Sequence, residues 1–510
     1  MLRNLQRQRL MKMLMPDNPP FKVLLLDTNT QSILSPILKI SDLRDAGVTA
    51  HFLISNNRSQ IKDIPAFYFI SSADGIVKDL RIDLYASYYL NCSSSFKRSD
   101  LEEMAKAASE KQIAFKVQSV YDQFLQFIAI QDDLFTFNIP NSFIQRNDPN
   151  SLRLSAVGLF SLFTTLNEIP FIISKSSLNQ PSDGTLKECE IGHMLETKMR
   201  NTKIIKPALK KPLLLILSRD FDLVTPLRHT MGYLELIHDI FNIRLNRAGD
   251  ITIDTDSEFF KNNWFLDFPT VAEIVDKELH NYKKELAVRS LSEKSDKAEI
   301  QAALENAPHL QKKNEIVNSN LNICVKVLDE IKKRKLDEFF RMEENLVEDD
   351  LIELASSGNE NDILRFCITL IGTKHAELIK PILEERGLPE KILEYFYEAE
   401  DGKGGSGLAG LGSKMKNILF KKNIPVYSYL ENALSQIKNQ RFYDKIYDPT
   451  NSGIFQTEIS RIIVYINGGA TYTELKALKE FEKAYKIPVI LGGSEIINAD
   501  GFLDQIRSDL

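Results

Sequence analysis

The chain has 510 residues, 43% hydrophobic and 26% charged, with a formal net charge of -6. At roughly 150 residues per domain, that length means about three domains, or two with insertions. The balance is that of an ordinary soluble globular protein, and with no basic field to attract a polyanion, nucleic acid is not the default partner.

The amino terminus, "MLRNLQRQRLMKMLMP", mixes basic and apolar residues at helical spacing but lacks the continuous apolar core of a signal peptide. No other stretch approaches the roughly 20 apolar residues of a membrane span, so membrane association is expected to run through a partner. Residues 22–137 alternate short β-rich runs ("KVLLLD", "TAHFLIS", "PAFYFI", "YASYYLN") with amphipathic helices, which predicts a parallel α/β domain over 1–140. Cys92, Cys189, Cys324 and Cys367 form no CxxC pair, so neither zinc nor a disulfide framework is expected, and the chain reads as reduced and intracellular.

A second α/β domain is predicted from 141–249 and 423–510: "KPLLLILS" opens a set of strands that resumes only at "RIIVYING" and "IPVILGG". The stretch "LLLILSRDFDLVTPLRHTMGY" (213–233) ends a buried run on Asp220 and Asp222. Ligands of open parallel sheets bind beyond such strand ends. Asp, Thr and Pro are equally what the entry to a helix needs, with Thr225 as cap and Pro226 in the first turn.

The insertion, 250–422, is periodic at 3.5 to 3.6 residues and is predicted helical. Within 308–341, Leu310, Asn314, Val317, Leu321, Cys324, Leu328 and Ile331 alternate spacings of four and three, a heptad seam on a helix of about 50 Å. It packs either on another helix of the same chain, for which 348–400 is the predicted partner, or in part on foreign helices. The acids from Glu343 to Glu353 predict a solvated face.

"DGKGGSGLAGLGSK" (401–414) contains GxGxxG but follows a charged helical pattern instead of a strand, and it reads as a linker. The paired glycines of "NGGATYTELKAL" and "GGSEIINADGFL" offer a phosphate cradle or simply a tight turn, with Thr471 and Glu474 as a capping box. His229 and His238 are predicted on opposite faces of one helix. No Ser-His-Asp order or HExxH spacing appears, so no catalytic residue, metal site or cofactor is expected.

"PLLLILSRDFDLVTPLRHTMGYLELIHDIF" resembles the strand-loop-helix signature of the SM (Sec/Munc) family of vesicle-fusion proteins. The likeness runs from "KVLLLDTNTQSILSPILKISDLRDAGVTAHFLI" to "VILGGSEIINADGFLDQI", and "SYYLN", "VYDQFLQFIAIQDDLF" and "YLELIHDIF" are most similar to the Sly-type, ER-to-Golgi branch. Met231 stands where that branch tends to have Trp, and the helical insertion is shorter than usual after Arg341.

The resemblance implies two α/β domains and a helical insertion arranged as an arch, with no enzymatic activity. It implies binding of a syntaxin-type Qa-SNARE, whose N-terminal peptide would meet Leu101, Met104, Ala105, Val117, Val120 and Tyr121. It further implies a SNARE-template hairpin over about Pro308–Arg341, with Pro308 at its tip and Val317, Leu321, Cys324, Leu328 and Ile331 along it. There the Qa-SNARE motif and other SNAREs, including a vesicle R-SNARE, would assemble. The implied location is cytoplasmic, peripheral on ER and Golgi membranes and vesicles through the SNAREs. Two other classes compete: a nucleotide-dependent α/β enzyme using the GG turns and Asp220, and a tethering scaffold that binds Rab or coat proteins without reading SNAREs.

Overall fold

A strand covered on both faces has no place for water, so central strands of a parallel sheet are apolar throughout while edge strands are not. In the computed structural model β1 (Lys22–Leu26), β3 (Ala66–Ile70) and β4 (Tyr88–Cys92) are buried at every position, whereas β2 (Val48–Leu53) and β5 (Val117–Asp122) are partly exposed. They pair in parallel in the order β2-β1-β3-β4-β5. Asp27 ends β1 and caps the following helix, accepting Thr30 N–H at 2.8 Å while Thr30 Oγ1 accepts Asp27 N–H at 3.0 Å.

The structure describes all residues except 16–18, 20, 175–186, 203, 206–209, 292–296, 348–353, 355–357, 372, 374, 389–390, 402–423, 451–458 and 510, with backbone alone at 187–189, 285–291, 297–314, 385 and 397–401. Nearly all of the glycine-rich stretch 401–414 lies outside the described residues.

The first sheet stops at Asp122, short of the predicted 137. The run "FIAIQDDLFTF" folds instead as the antiparallel pair β6 (Ile128–Gln131) and β7 (Leu134–Thr136). This pair forms one edge of a seven-stranded sheet with β8 (Phe171–Ser174), β9 (Lys211–Ser218), β12 (Lys445–Tyr447), β13 (Ile459–Asn467) and β14 (Val489–Gly493). Its order is β12-β8-β9-β13-β14-β7-β6, and its central partners β9 and β13 come from either side of the helical insertion. Among the described residues the remaining strands, β10 (Arg247–Ala248) and β11 (Ile251–Thr252), make a small hairpin at the start of that insertion.

The free edge of β6 is closed by a helix. Along α1 (Leu2–Leu14), Leu2, Gln6, Leu10, Met13 and Leu14 are buried. The Gln6 amide donates to the Phe127 carbonyl and accepts Ala129 N–H at 2.9 Å, and Arg3 Nη1 donates to the Ala129 carbonyl at 3.3 Å. Side chains thus supply the hydrogen bonds that a further strand would otherwise make. Two more helices of this part are α2 (Arg98–Glu110), on the first sheet, and α3 (Pro149–Leu166), between β7 and β8.

By packing the chain forms two compact units: 1–221 with 426–470 and 478–496, which holds both large sheets, and 222–425 with 471–477 and 497–510. Residues 222–249, expected in the second α/β domain, therefore belong to the helical unit. That unit contains α4 (Tyr233–Phe241), α5 (Phe268–Leu291), α6 (Lys297–Arg334), α7 (Leu336–Glu344) and α8 (Glu360–Leu370). Near the carboxyl terminus follow α9 (Tyr472–Tyr485) and α10 (Ala499–Asp509).

Helices α5 and α6 form a hairpin over 268–334 instead of the expected 308–341, and α6 also packs on α4. Among the described residues α5 and α4 are the main partners of the heptad seam, and the predicted 348–400 stretch meets it at Arg334, through Asp362 of α8. Pro308 lies inside α6, not at its tip: proline disfavours continuation of a helix without forbidding it. Between α6 and α7, Lys335 adopts a left-handed backbone (φ 55°) that ends the long helix.

Candidate functional site

The strand-end aspartates prove to be occupied in shaping the chain. Asp220 pairs with Arg146 Nε at 3.0 Å and accepts Ser218 Oγ at 2.8 Å. Asp222 Oδ1 accepts Val224 N–H at 3.1 Å and Thr225 N–H at 3.0 Å. That cap starts only a 3-10 turn, Thr225–Leu227, and the α-helix expected from Thr225 begins at Tyr233. Hence His229 lies in the link before α4 and shares no helix with His238. Gly468 and Gly469, at φ 97° and 109°, make a tight turn, Thr471 and Glu474 form the capping box, and the Phe135 ring occupies the space beside Gly492. Among the described residues no group of three or more His, Cys, Asp or Glu side chains is placed to hold a metal ion.

Two apolar surfaces stand out instead, one in each unit. The first lies between α2 and the edge strand β5. On α2 the period of 3.6 sends Met104, Ala107 and Ala108 inward and leaves Leu101, 42% exposed, and Ala105 outward. Met104, expected to line the surface, is only 4% exposed and belongs to the core beneath it, against which Val117 packs.

The register of β5 decides the rest. Val117 pairs with Tyr88, Ser119 with Tyr89 and Val120 with Leu90, so Gln118 is an extra residue. That slip puts Val117 and Val120 on the face of Tyr88 and Leu90, the face that carries Met104. Tyr121, opposite Asn91, falls on the other face, and the expected six-residue lining is therefore split. Leu101, Ala105 and Val120 (43% exposed) remain as the outer wall over Met104 and Val117. Phe115, 76% exposed in the 3-10 turn before β5, was missed because a lone aromatic in a turn carries no periodic signal.

The second surface is a stripe on α6. Val317, Cys324 and Ile331 are buried together with Val327 and Arg334, whereas Asn320 and Leu321 are both half-buried and Leu328 is exposed. Asn320 accepts from Tyr233 OH at 3.2 Å, and Arg334 is tied to Asp362. Because Arg334 finds a buried carboxylate it takes an inward place, while Asn320 sits at the margin of the buried face. Val325 (50% exposed) and Leu328 (43% exposed) are turned outward, and half-buried Leu321 lies on the same side, about a quarter-turn round the helix from the seam. The side chains of Pro308, Leu310 and Asn314 lie outside the described ones. Glu343, expected on a solvated face, is buried against His229 Nδ1 at 2.6 Å.

The chain belongs to the Sec1 family, whose model matches residues 22–422 and 413–505. Among its relatives, the SEC1 family transport protein SLY1 of Encephalitozoon cuniculi (strain GB-M1) is 40% identical over 524 residues, covering 99% of each chain. The crystal structure of Sly1p in complex with an N-terminal peptide of Sed5p superposes with a TM-score of 0.80 at 25% identity, over 99% of this chain and 98% of that one. The fold is also that of the SM protein Vps45 in complex with the Qa SNARE Tlg2 (TM-score 0.81, 20% identity, 99% and 98% covered).

Proposed function

We propose that this chain is a non-enzymatic SM protein that binds SNAREs and promotes their assembly for vesicle docking and membrane fusion in ER-to-Golgi transport. The observation that carries this reading is the stripe of exposed Val325 and Leu328 with half-buried Leu321, beside a seam already filled from within. Such a stripe, at spacings of four and three, matches the packing period of a SNARE bundle. The surface of Leu101, Ala105 and Val120 is assigned to the N-terminal peptide of a syntaxin-type Qa-SNARE, which the complex of the similar Sly1p with a Sed5p peptide supports. Among the described residues no helix is long and apolar enough to cross a membrane, and the SNAREs supply the link to ER, Golgi and vesicle membranes.

The test is a paired binding assay on folded variants. Leu321→Lys or Leu328→Lys weakens capture of SNARE motifs and slows liposome fusion while sparing the N-peptide. Val120→Lys or Leu101→Lys does the reverse, since substitutions in separate units add nearly independently. Wild-type SNARE-motif binding by both α6 variants would remove the template role from this helix. Tight Mg-nucleotide binding with hydrolysis would favour the enzyme reading, and capture of a Rab or coat protein without any SNARE would favour the tether.

A further inference from the structure

At the root of α6 a group of buried charges draws four helices together. Arg334, in the last turn of α6, meets Asp362 of α8 with Nε at 2.9 Å from Oδ2 and Nη2 at 2.6 Å from Oδ1. Arg365 of α8 reaches Asp362 Oδ1 and Asp239 Oδ2 of α4, each at 3.0 Å, and donates to the carbonyls of Leu227 and Arg228 at 2.8 and 3.2 Å. His229, next in the chain, lies between two carboxylates. Its Nδ1 is 2.6 Å from Glu343 Oε1 of α7 and its Nε2 3.4 Å from Asp362 Oδ1, while its ring stacks on Phe339 of α7 at 4.8 Å.

Carboxylates only accept, so a ring that hydrogen-bonds Glu343 through Nδ1 and turns Nε2 toward Asp362 in a longer charge contact is matched at both nitrogens only as the imidazolium. Counting charges gives the same result. Asp239, Asp362 and Glu343 stand against Arg334 and Arg365, and a proton on His229 makes the group neutral. Burial and then Arg365 oppose that proton, yet Glu343 and Asp362 outweigh them and hold the ring above its ordinary value. The other charged or titratable groups around the cluster are Glu235 and His238 on α4 and Asp500 on α10. Removing the proton leaves a carboxylate buried without its match, which is strongly unfavourable.

We propose that the His229 imidazolium is a positioning group for α6, a proton-dependent anchor that holds the root of the helix bearing Leu321, Val325 and Leu328, so that SNARE-motif binding weakens as the ring loses its proton. This rests on the reading of α6 given above. Because the ring is held above its unfolded value of about 6.5, its contribution is complete below that pH and is lost as pH rises through the folded value.

Histidine-ring NMR and backbone hydrogen exchange on the free protein test the anchor directly. The His229 ring should titrate above pH 6.5, and exchange over 332–344 should quicken through the same range. SNARE-motif affinity should fall about fivefold or more across it, with N-peptide affinity flat. His229→Gln should abolish the pH response. Glu343→Gln, which keeps a hydrogen-bonding side chain, should move the midpoint down, a shift that a merely structural contact would not produce. A ring neutral throughout pH 6–9, or a midpoint unmoved by Glu343→Gln, overturns the anchor. A ring and exchange profile that follow the expectation in a protein that captures no SNARE motif at any pH overturns the functional reading instead.

Discussion

Arg334 holds Asp362 by two parallel hydrogen bonds, although 28 residues separate them in the chain and Asp362 is fully buried. A guanidinium makes this forked contact and an ammonium cannot. Arg334→Ala should lower stability by about 3–5 kcal/mol, because a buried carboxylate loses its principal partner. Arg334→Lys should restore only part of that. Urea denaturation of the three proteins measures the difference; a Lys variant as stable as the wild type would show that charge suffices without the fork.

Glu235, in the first turn of α4, has its carboxyl pushed up to about 7, chiefly by burial and against the pull of Lys476. An unfolded glutamate titrates near about 4.3. The native state therefore holds the extra proton between these values, and stability falls as pH rises from one to the other, with the whole penalty present above 7. Glu235→Gln removes the charge at nearly constant volume. Its melting temperature relative to the wild type should climb between pH 5 and pH 8. An offset that does not change with pH would mean that the native carboxyl titrates where the unfolded one does.

Gln6 serves two backbone groups of β6 and its approach at once. Gln6→Ala should leave both without their partners, at about 1–3 kcal/mol for a buried group so deprived, and should speed amide exchange at Ala129. Exchange at Ala129 as slow as in the wild type would show that Arg3 alone keeps the edge closed.

Pro308 interrupts the hydrogen-bond ladder of α6 from within, since proline has no N–H to give. Pro308→Ala should therefore slow amide exchange over 304–312 without lengthening the helix. Circular dichroism and exchange mass spectrometry distinguish this from a variant whose helix begins earlier.

The two sheets and the helical insertion were legible in the sequence because apolar runs and a 3.6-residue period are local signals. The family motifs gave the rest of the architecture. What stayed hidden depended on partners distant in the chain. Nothing in "VYDQFLQFIAIQDDLF" marks that β5 closes one sheet and β6 opens the next. Arg334 ranks as a surface residue by type, yet Asp362 draws it inward, and Leu328, apolar by type, is turned out. The extra residue at Gln118, which brings Val117 and Val120 to one face, becomes visible only when β5 lies beside β4.

The central pair of the seven-stranded sheet has a consequence for how the chain is made. Roughly 240 residues separate Ser218, at the end of β9, from Ile459, at the start of β13. At about 5–20 residues per second, a ribosome needs on the order of tens of seconds to bridge them. Through that interval β9 waits as an open, largely apolar edge, and β7 likewise waits for β14. The nascent chain is thus most vulnerable to aggregation after its first half has emerged, and chaperone occupancy should peak there and end abruptly once "RIIVYING" and "IPVILGG" leave the exit tunnel.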